Sequence, residues 1–228
     1  MTKDANMSAL AVKGLTRTYG DLVALEPLTL TIAEGEAVVL IGHNGSGKTT
    51  MMRMVAGLLD STGGDVTVGG AAGGSLAARA KLAYLSDQPT FYDDLSVWEH
   101  LEMVARLHGN GDWEQQGADL LGALGLYERA DDLPVQFSRG LKQKAAIAMA
   151  FVRPFDLLLV DEPFVGLDAT GKTALLALLD GAHDRGAALV VATHELAFVQ
   201  RVSRCIALRD GALVYDGTTK DLDVLALV

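Results

Sequence analysis

At 228 residues the chain is long enough for one good-sized domain with a proper core, or for two small lobes. Its 19 basic against 29 acidic residues, a formal net charge of −10, argue against a general nucleic-acid binder, whose affinity comes from cations facing phosphates. Half of the residues are apolar, but the longest unbroken apolar run, Ala145 to Val152, is far short of the roughly 20 residues that a membrane-spanning helix needs, and the single cysteine, Cys205, excludes an internal disulfide and a cysteine metal cluster.

The polar start Met1-Thr2-Lys3-Asp4 has no basic-then-apolar leader pattern, so a cytosolic location is expected. Apolar and polar residues alternate over the first thirty or so positions and again at Asp65 to Val68, the pattern of an antiparallel β lobe. Glu36 to Ile41, apolar throughout after its first residue, ends at glycine, as a buried strand feeding a loop does. A helix is predicted from about Lys48 to Leu59. Gly69 to Gly74 reads as a turn or flexible loop.

From about Ser96 to Arg153 the chain turns helical. Ser96 with Glu99 has the form of a capping box, and Trp98, Leu101, Val104 or Ala105, and Leu107 follow at helical spacing. Further helices are expected at about Asp112 to Leu126 and from near Ser138. Leu157 to Val160 and Ala188 to Ala192 are buried-strand candidates. The fold class is therefore α/β, a P-loop NTPase core with a largely parallel sheet, an N-terminal antiparallel β lobe and an inserted helical lobe. The expected division is 1–87 and 154–228 for the core with its β lobe, and 88–153 for the helical lobe.

Gly42-His43-Asn44-Gly45-Ser46-Gly47-Lys48-Thr49 matches G-x-x-x-x-G-K-[ST] in full, between a buried strand and an amphipathic helix. Its glycines let consecutive N–H groups face a β-phosphate, and the helix N-terminus adds partial positive charge. Lys48 is placed to reach the β/γ-phosphates and the Thr49 hydroxyl to ligate Mg²⁺; Thr50 continues the helix. The motif implies a nucleoside triphosphate but not the use of its energy. His43, at a variable position, is assigned no chemistry.

The apolar strand Leu157 to Val160 ends in Asp161-Glu162. Strand alternation sends the two carboxylates to different faces, so Asp161 suits a metal-holding role beside Thr49, and Glu162 suits orienting and deprotonating a water.

With these motifs in place the chain resembles the nucleotide-binding domains of ABC transporters over nearly its whole length. The discriminating segment is Phe137-Ser138-Arg139-Gly140-Leu141, a variant of the signature L-S-G-G-Q that keeps Ser138 and Gly140. The resemblance implies that Ser138 and Gly140 bind the γ-phosphate held by a partner's phosphate loop, that Tyr19 stacks on adenine, and that Gly166-Leu167-Asp168 links the dimer halves. It also implies that His194, in Thr193-His194-Glu195, contacts the γ-phosphate. The family's metal-contacting glutamine falls at Asp87 in an ungapped alignment, with Gln88 one residue later. The implied activity is ATP hydrolysis with Mg²⁺, with Glu162, His194 and Lys48 catalytic. The ligand contacts fall to Tyr19, Gly42, Asn44, Gly45, Ser46, Gly47, Lys48, Thr49, Thr50, Ser138 and Gly140. Thr49, Asp161 and Asp87 or Gln88 hold the metal.

The implied assembly is a homodimer, or a heterodimer with a second ATP-binding subunit, on the inner face of the cell membrane beneath a membrane-spanning subunit; no nucleic acid is expected. Phe91, Tyr92, Leu95 and Trp98 are read either as the surface that receives the membrane subunit or as the core of the helical lobe. The Ser-x-Gly-x-Lys-Gln form of the signature and Tyr92 to Val97 look like ATPases of drug, lipid or polysaccharide exporters. The competing reading, a soluble ATPase of the same kind acting on ribosomes or nucleic acid, calls for paired domains, a long insertion or basic extensions, none of which is seen.

Overall fold

In the computed structural model, which describes residues 8–220, two sheets stack beside a group of helices. Strands β1 (Ser8–Tyr19) and β2 (Leu22–Ala33) pair antiparallel, β3 (Ala37–Ile41) follows, and helix α1 (Lys48–Val55) leads to β4 (Gly63–Val68) and the two-residue β5 (Ala71–Ala72). Next come α2 (Leu76–Lys81), β6 (Leu82–Leu85), α3 (Val97–Leu107), α4 (Trp113–Leu124), α5 (Arg139–Phe151) and β7 (Leu157–Asp161). The described chain ends with α6 (Ala169–Asp184), β8 (Ala188–Ala192), α7 (Leu196–Val199), β9 (Arg204–Arg209) and β10 (Ala212–Thr218).

The first sheet has the order β2-β1-β4-β5 and is antiparallel throughout. The second has the order β10-β9-β3-β8-β7-β6, parallel from β9 to β6, with β10 antiparallel at its edge. Alternation along its inner strands serves both faces. Val39, Ile41, Leu158, Val160, Leu189 and Val191 face the helices. Val38, Leu40, Leu157, Leu159, Val190 and Ala192 pack with Leu10, Leu15, Ile32 and the methionines of α1. A parallel sheet covered on both sides needs such unbroken apolar strands, each buried leucine contributing about 1.5–3 kcal/mol. Arg204 ties the layers at their rim. Its guanidinium grips Asp216 bidentately at 2.7 and 2.8 Å, bonds Glu36 at 3.0 Å and donates to the Thr31 carbonyl at 2.9 Å.

Helix α1 is shorter than expected. Gly57 adopts φ 69 just past the C-cap Ala56, and the Leu58 and Leu59 amides fold back onto the Arg53 carbonyl at 2.9 and 3.2 Å. A Cβ at Gly57 would lie 2.7 Å from Gly74 Cα, so the glycine-rich stretch packs closely rather than merely turning, and it also supplies β5.

The helical segment forms as its sequence suggests. Ser96 Oγ accepts from the Glu99 amide at 3.2 Å, and the Glu99 carboxylate accepts from the Ser96 amide at 2.7 Å. Trp98 packs on Trp113 with ring centroids 4.7 Å apart, so Trp98 belongs to the lobe's core. His100 is buried there too. It accepts from the Tyr92 amide at Nε2, which leaves Nδ1 to donate to the Ser96 carbonyl at 2.8 Å. Asn110 and Gln116 cap the far end of α5 through the Val152 and Phe151 carbonyls at 2.6 and 2.8 Å. Among the described residues no helix is long and apolar enough to cross a membrane.

Cys205 lies fully buried in β9 with its thiol pushed up to about 11 by burial, then by Asp216. Native protein is expected to leave Cys205 unmodified by a thiol reagent such as dithionitrobenzoate at pH 8. Guanidinium-denatured protein should release one equivalent of product, read by absorbance.

Candidate active site

The site forms where β3, β7 and β8 end side by side. After Ile41 the chain turns through Gly42 (φ 150), Gly45 (φ 86) and Gly47 (φ 102), the last being the N-cap of α1. A Cβ on Gly42 would sit 2.2 Å from the Leu208 carbonyl oxygen and 2.4 Å from Ser46 Oγ, so no side chain fits. The loop is braced from behind. The Gly211 amide donates to the Ser46 carbonyl at 3.1 Å, and His43 Nε2 lies 3.2 Å from Asp210 Oδ1 in the β9–β10 turn. Asn44 and Gly45 stay exposed at the tip, while Ser46 is buried and Thr50 half-buried.

Lys48 lies back across its own loop, donating to the Gly42 carbonyl and, at 3.2 Å, to the His43 carbonyl. Burial lowers its pKa, an effect that the charges of Glu162 and Asp161 oppose. Thr49 Oγ1 donates to Asp161 Oδ2 at 2.6 Å, which joins α1 to the end of β7. Asp161 is 1% exposed, and burial is the leading cause of its raised pKa, with the Asp87 charge adding to it. Glu162 is raised as well, chiefly by burial, against the pull of Lys48. Its backbone takes φ 45, a left-handed value uncommon outside glycine, and its N–H donates a hydrogen bond to the Ala192 carbonyl at 2.9 Å.

His194 follows β8 and brings Nε2 to 3.6 Å from Glu162 Oε1, just beyond hydrogen-bond range. Burial and the nearby Lys48 charge hold its pKa below the ordinary histidine value, with a hydrogen bond to the Gly42 backbone working the other way. The ring is therefore neutral at pH 7. Of the two alternatives for the metal-contacting glutamine position, Asp87 is half-buried and its charge acts on both Asp161 and Glu162. Gln88 is exposed and its amide stands 3.5 Å from Asp87 Oδ2.

Other sequence candidates lie apart from this cluster. Ser138 caps α5, accepting from the Leu141 amide at 3.5 Å, and is exposed; among the described residues no hydrogen bond or ion pair joins Ser138 or Gly140 to residues 42–49. A Cβ on Gly140 would meet the Gly166 carbonyl oxygen at 2.5 Å, and Lys144 Nζ bonds Asp168 at 3.0 Å while Asp168 caps α6 through the Gly171 amide at 2.8 Å. The start of α5 and the Gly166-Leu167-Asp168 loop are thus one packed unit. Tyr19 ends β1 with its ring 47% exposed and the Arg17 guanidinium 4.3 Å from its centroid. Beside the site, Arg53, Phe91, His108, Met149 and Arg153 line a cleft of about 520 Å³. Sequence reasoning gave no role to His43, Lys144 or Asp210. Their partners lie too far along the chain for any local pattern to reveal.

A phosphate loop, a strand-end carboxylate pair and a histidine beyond the next strand, on this sheet order, define a P-loop ATPase. The ABC transporter family model matches residues 25–165. The SkfA peptide export ATP-binding protein SkfE of Bacillus subtilis (strain 168) is 37% identical over 92% of this chain and 89% of its own. The aliphatic sulfonates import ATP-binding protein SsuB 2 of Frankia alni is 35% identical over 95% and 83%. A solved ATP-binding subunit of an ABC transporter superposes with a TM-score of 0.88 at 33% identity, covering 94% of this chain and 91% of that one. Another cassette, solved as a dimer in a post-hydrolysis state with ADP and Pi, gives 0.84 at 27% identity over 93% and 100%. The chain belongs to the ABC transporter family, as an ATP-binding and ATP-hydrolysing subunit.

Because the Glu162 pKa is raised on folding, the folded state holds its proton to higher pH than the unfolded chain does, and stability falls as pH rises through that window. Nucleotide-free Glu162→Gln protein should therefore melt at a higher temperature than wild type at pH 7–8. The gap should close as pH falls below the ordinary carboxylate range, followed by scanning calorimetry across pH.

Proposed function

We propose that this subunit drives export by a separate membrane-spanning subunit, working as a dimer in which each site is completed by the other copy or by a second ATP-binding subunit. The observation that carries this reading is that the exposed N-terminus of α5 at Ser138 makes no hydrogen bond to the phosphate loop at residues 42–49 of its own chain among the described residues. A helix N-terminus with free amides and a hydroxyl suits an anion presented from outside. Gly140, pressed on Gly166, would add its backbone N–H.

In each site Gly42 to Thr50 would cradle the phosphates, with Asn44 and Gly45 at the open tip and Lys48 leaving its own carbonyls for the β/γ-phosphates. Tyr19 would stack its exposed ring on adenine, worth about 1–3 kcal/mol by analogy with base stacking. Glu162 would accept a proton from the attacking water, and neutral His194 would donate to the γ-phosphate. Thr49 and Asp161, with Asp87 facing them, offer oxygen donors of the kind that suits Mg²⁺ and would hold that ion. When bound, that ion would neutralise phosphate charge.

The two arginines of the 520 Å³ cleft, Arg53 and Arg153, with Phe91 and Met149 beside them, suit a short helix of the membrane subunit bearing apolar and acidic residues. Exposed Tyr92 would extend that surface. Association through that subunit would hold the chain at the inner face of the cell membrane. Export is favoured by the exporter-like signature and by the peptide-export relative; the sulfonate-import relative is the counterweight.

Tagged Glu162→Gln protein, purified from gently solubilised membranes of its native cell, should bring down a polytopic membrane protein at near-stoichiometric yield. Lys48→Ala serves as the binding-deficient control. Recovery from the soluble fraction with ribosomes or nucleic acid, and without a membrane protein, would refute the reading.

A further inference from the structure

We propose that Lys172 and Glu195 act as a positioning pair that sets His194 for hydrolysis, coupling its loop to helix α6. His194 sits in a three-residue connection between β8 and α7, and both of its neighbours are anchored. Thr193, 2% exposed, donates its amide to the Leu40 carbonyl at 3.3 Å, which pins the residue before His194 to the central strand. The residue after it, Glu195, is the N-cap of α7 but makes no side-chain cap bond. Its amide donates to Thr193 Oγ1 at 3.0 Å, and its carboxylate reaches Lys172 Nζ at 2.5 Å. A carboxylate at a helix N-terminus has the free amides of that helix as its nearest partners. Here it is drawn instead to a lysine one turn inside α6.

Helix α6 is itself held at its start by Lys144 of α5, through Asp168, and the Lys172 amide donates to the Asp168 carbonyl at 2.9 Å. Two ion pairs one turn apart on α6 thus join the signature helix to the residue beside His194. The geometry leaves little slack. His194 Nε2 is 3.6 Å from Glu162 Oε1, so a shift of a few tenths of an ångström decides whether the ring is within hydrogen-bond reach of its partners. The Lys172 and Glu195 side chains are 41% and 25% exposed, and an ion pair so open to solvent adds little to fold stability. Its effect belongs to the rate.

The proposal rests on the reading of His194 as the γ-phosphate contact, and the experiment separates the two. Steady-state ATPase rates of the full chain would be compared for wild type, Lys172→Gln, Glu195→Gln, Lys172→Arg, the Lys172→Glu/Glu195→Lys swap and His194→Ala. The single neutralisations should lower kcat by about threefold to tenfold while KM for ATP moves by less than about twofold and the melting temperature stays put. Lys172→Arg and the charge swap should recover most of the rate. Wild-type kcat in both neutralised variants, or equal losses in the arginine and swap variants, would overturn the positioning role while leaving His194 in place. Wild-type turnover by His194→Ala would overturn the assignment of His194, and this proposal with it.

Discussion

The rest of the structure depends on charge drawn out of water where the parallel strands end. Lys48, Asp161 and Glu162 each shift toward the neutral form, and burial leads in all three cases. Their mutual attraction does not cover the cost of desolvation, the usual outcome for buried ion clusters. The left-handed backbone at Glu162 adds strain at the same point. A nucleotide-free site of this kind is held open by the surrounding fold rather than by its own contacts, which leaves binding energy to be gained when a phosphate chain takes up the free donors.

What holds it is the sandwiching of β3. Its two faces are filled from opposite sides, by the helices on one and by the antiparallel sheet with α1 on the other, so the strand that launches the phosphate loop cannot slide. The turn between β9 and β10 then braces the loop from behind through Leu208, Asp210 and Gly211. Rigid support beneath and an open tip above give a loop whose backbone is set to meet phosphate, the arrangement that favours electrostatic stabilisation, while Lys48 has to turn away from its own loop carbonyls. The helical segment is built on another principle. Its α5 is capped at the far end by Asn110 and by Gln116 of α4, and the segment is tied to the α6 start by the Lys144–Asp168 ion pair and to α2 by Arg153, which donates to the Arg79 carbonyl at 2.7 Å. Such a unit can transmit a displacement without losing its own packing.

Much of the site was legible because it is contiguous. The phosphate loop, the strand-end Asp161-Glu162 pair and the Ser96 capping box each occupy a few neighbouring residues, and their chemistry follows from spacing alone. The alternation that marked the β lobe and the unbroken apolar runs of β3, β7 and β8 were equally plain. Strand β9 and the edge strand β10 carry no pattern that marks them in the sequence, nor does β5, since short mixed segments have little periodic signal. Helix α1 ends earlier than its periodicity predicts, because the apolar pattern runs past Val55 and the left-handed φ of Gly57 stops the helix. The aromatic group around Phe91 was ambiguous in sequence and divides in space, with Trp98 inside the lobe, Phe91 lining the cleft and Tyr92 outside.

The sequence by itself determined the α/β class, the nucleotide chemistry and the family, since these reside in local patterns that any chain obeying the same backbone rules must express. Tertiary structure alone decided that Asp87 rather than Gln88 faces the carboxylates, that His43 meets Asp210, and that Lys144 and Lys172 reach Asp168 and Glu195. Those pairs depend on strand order and on the register between distant elements, and an ion pair between residues tens or hundreds of positions apart leaves no period in the chain to read.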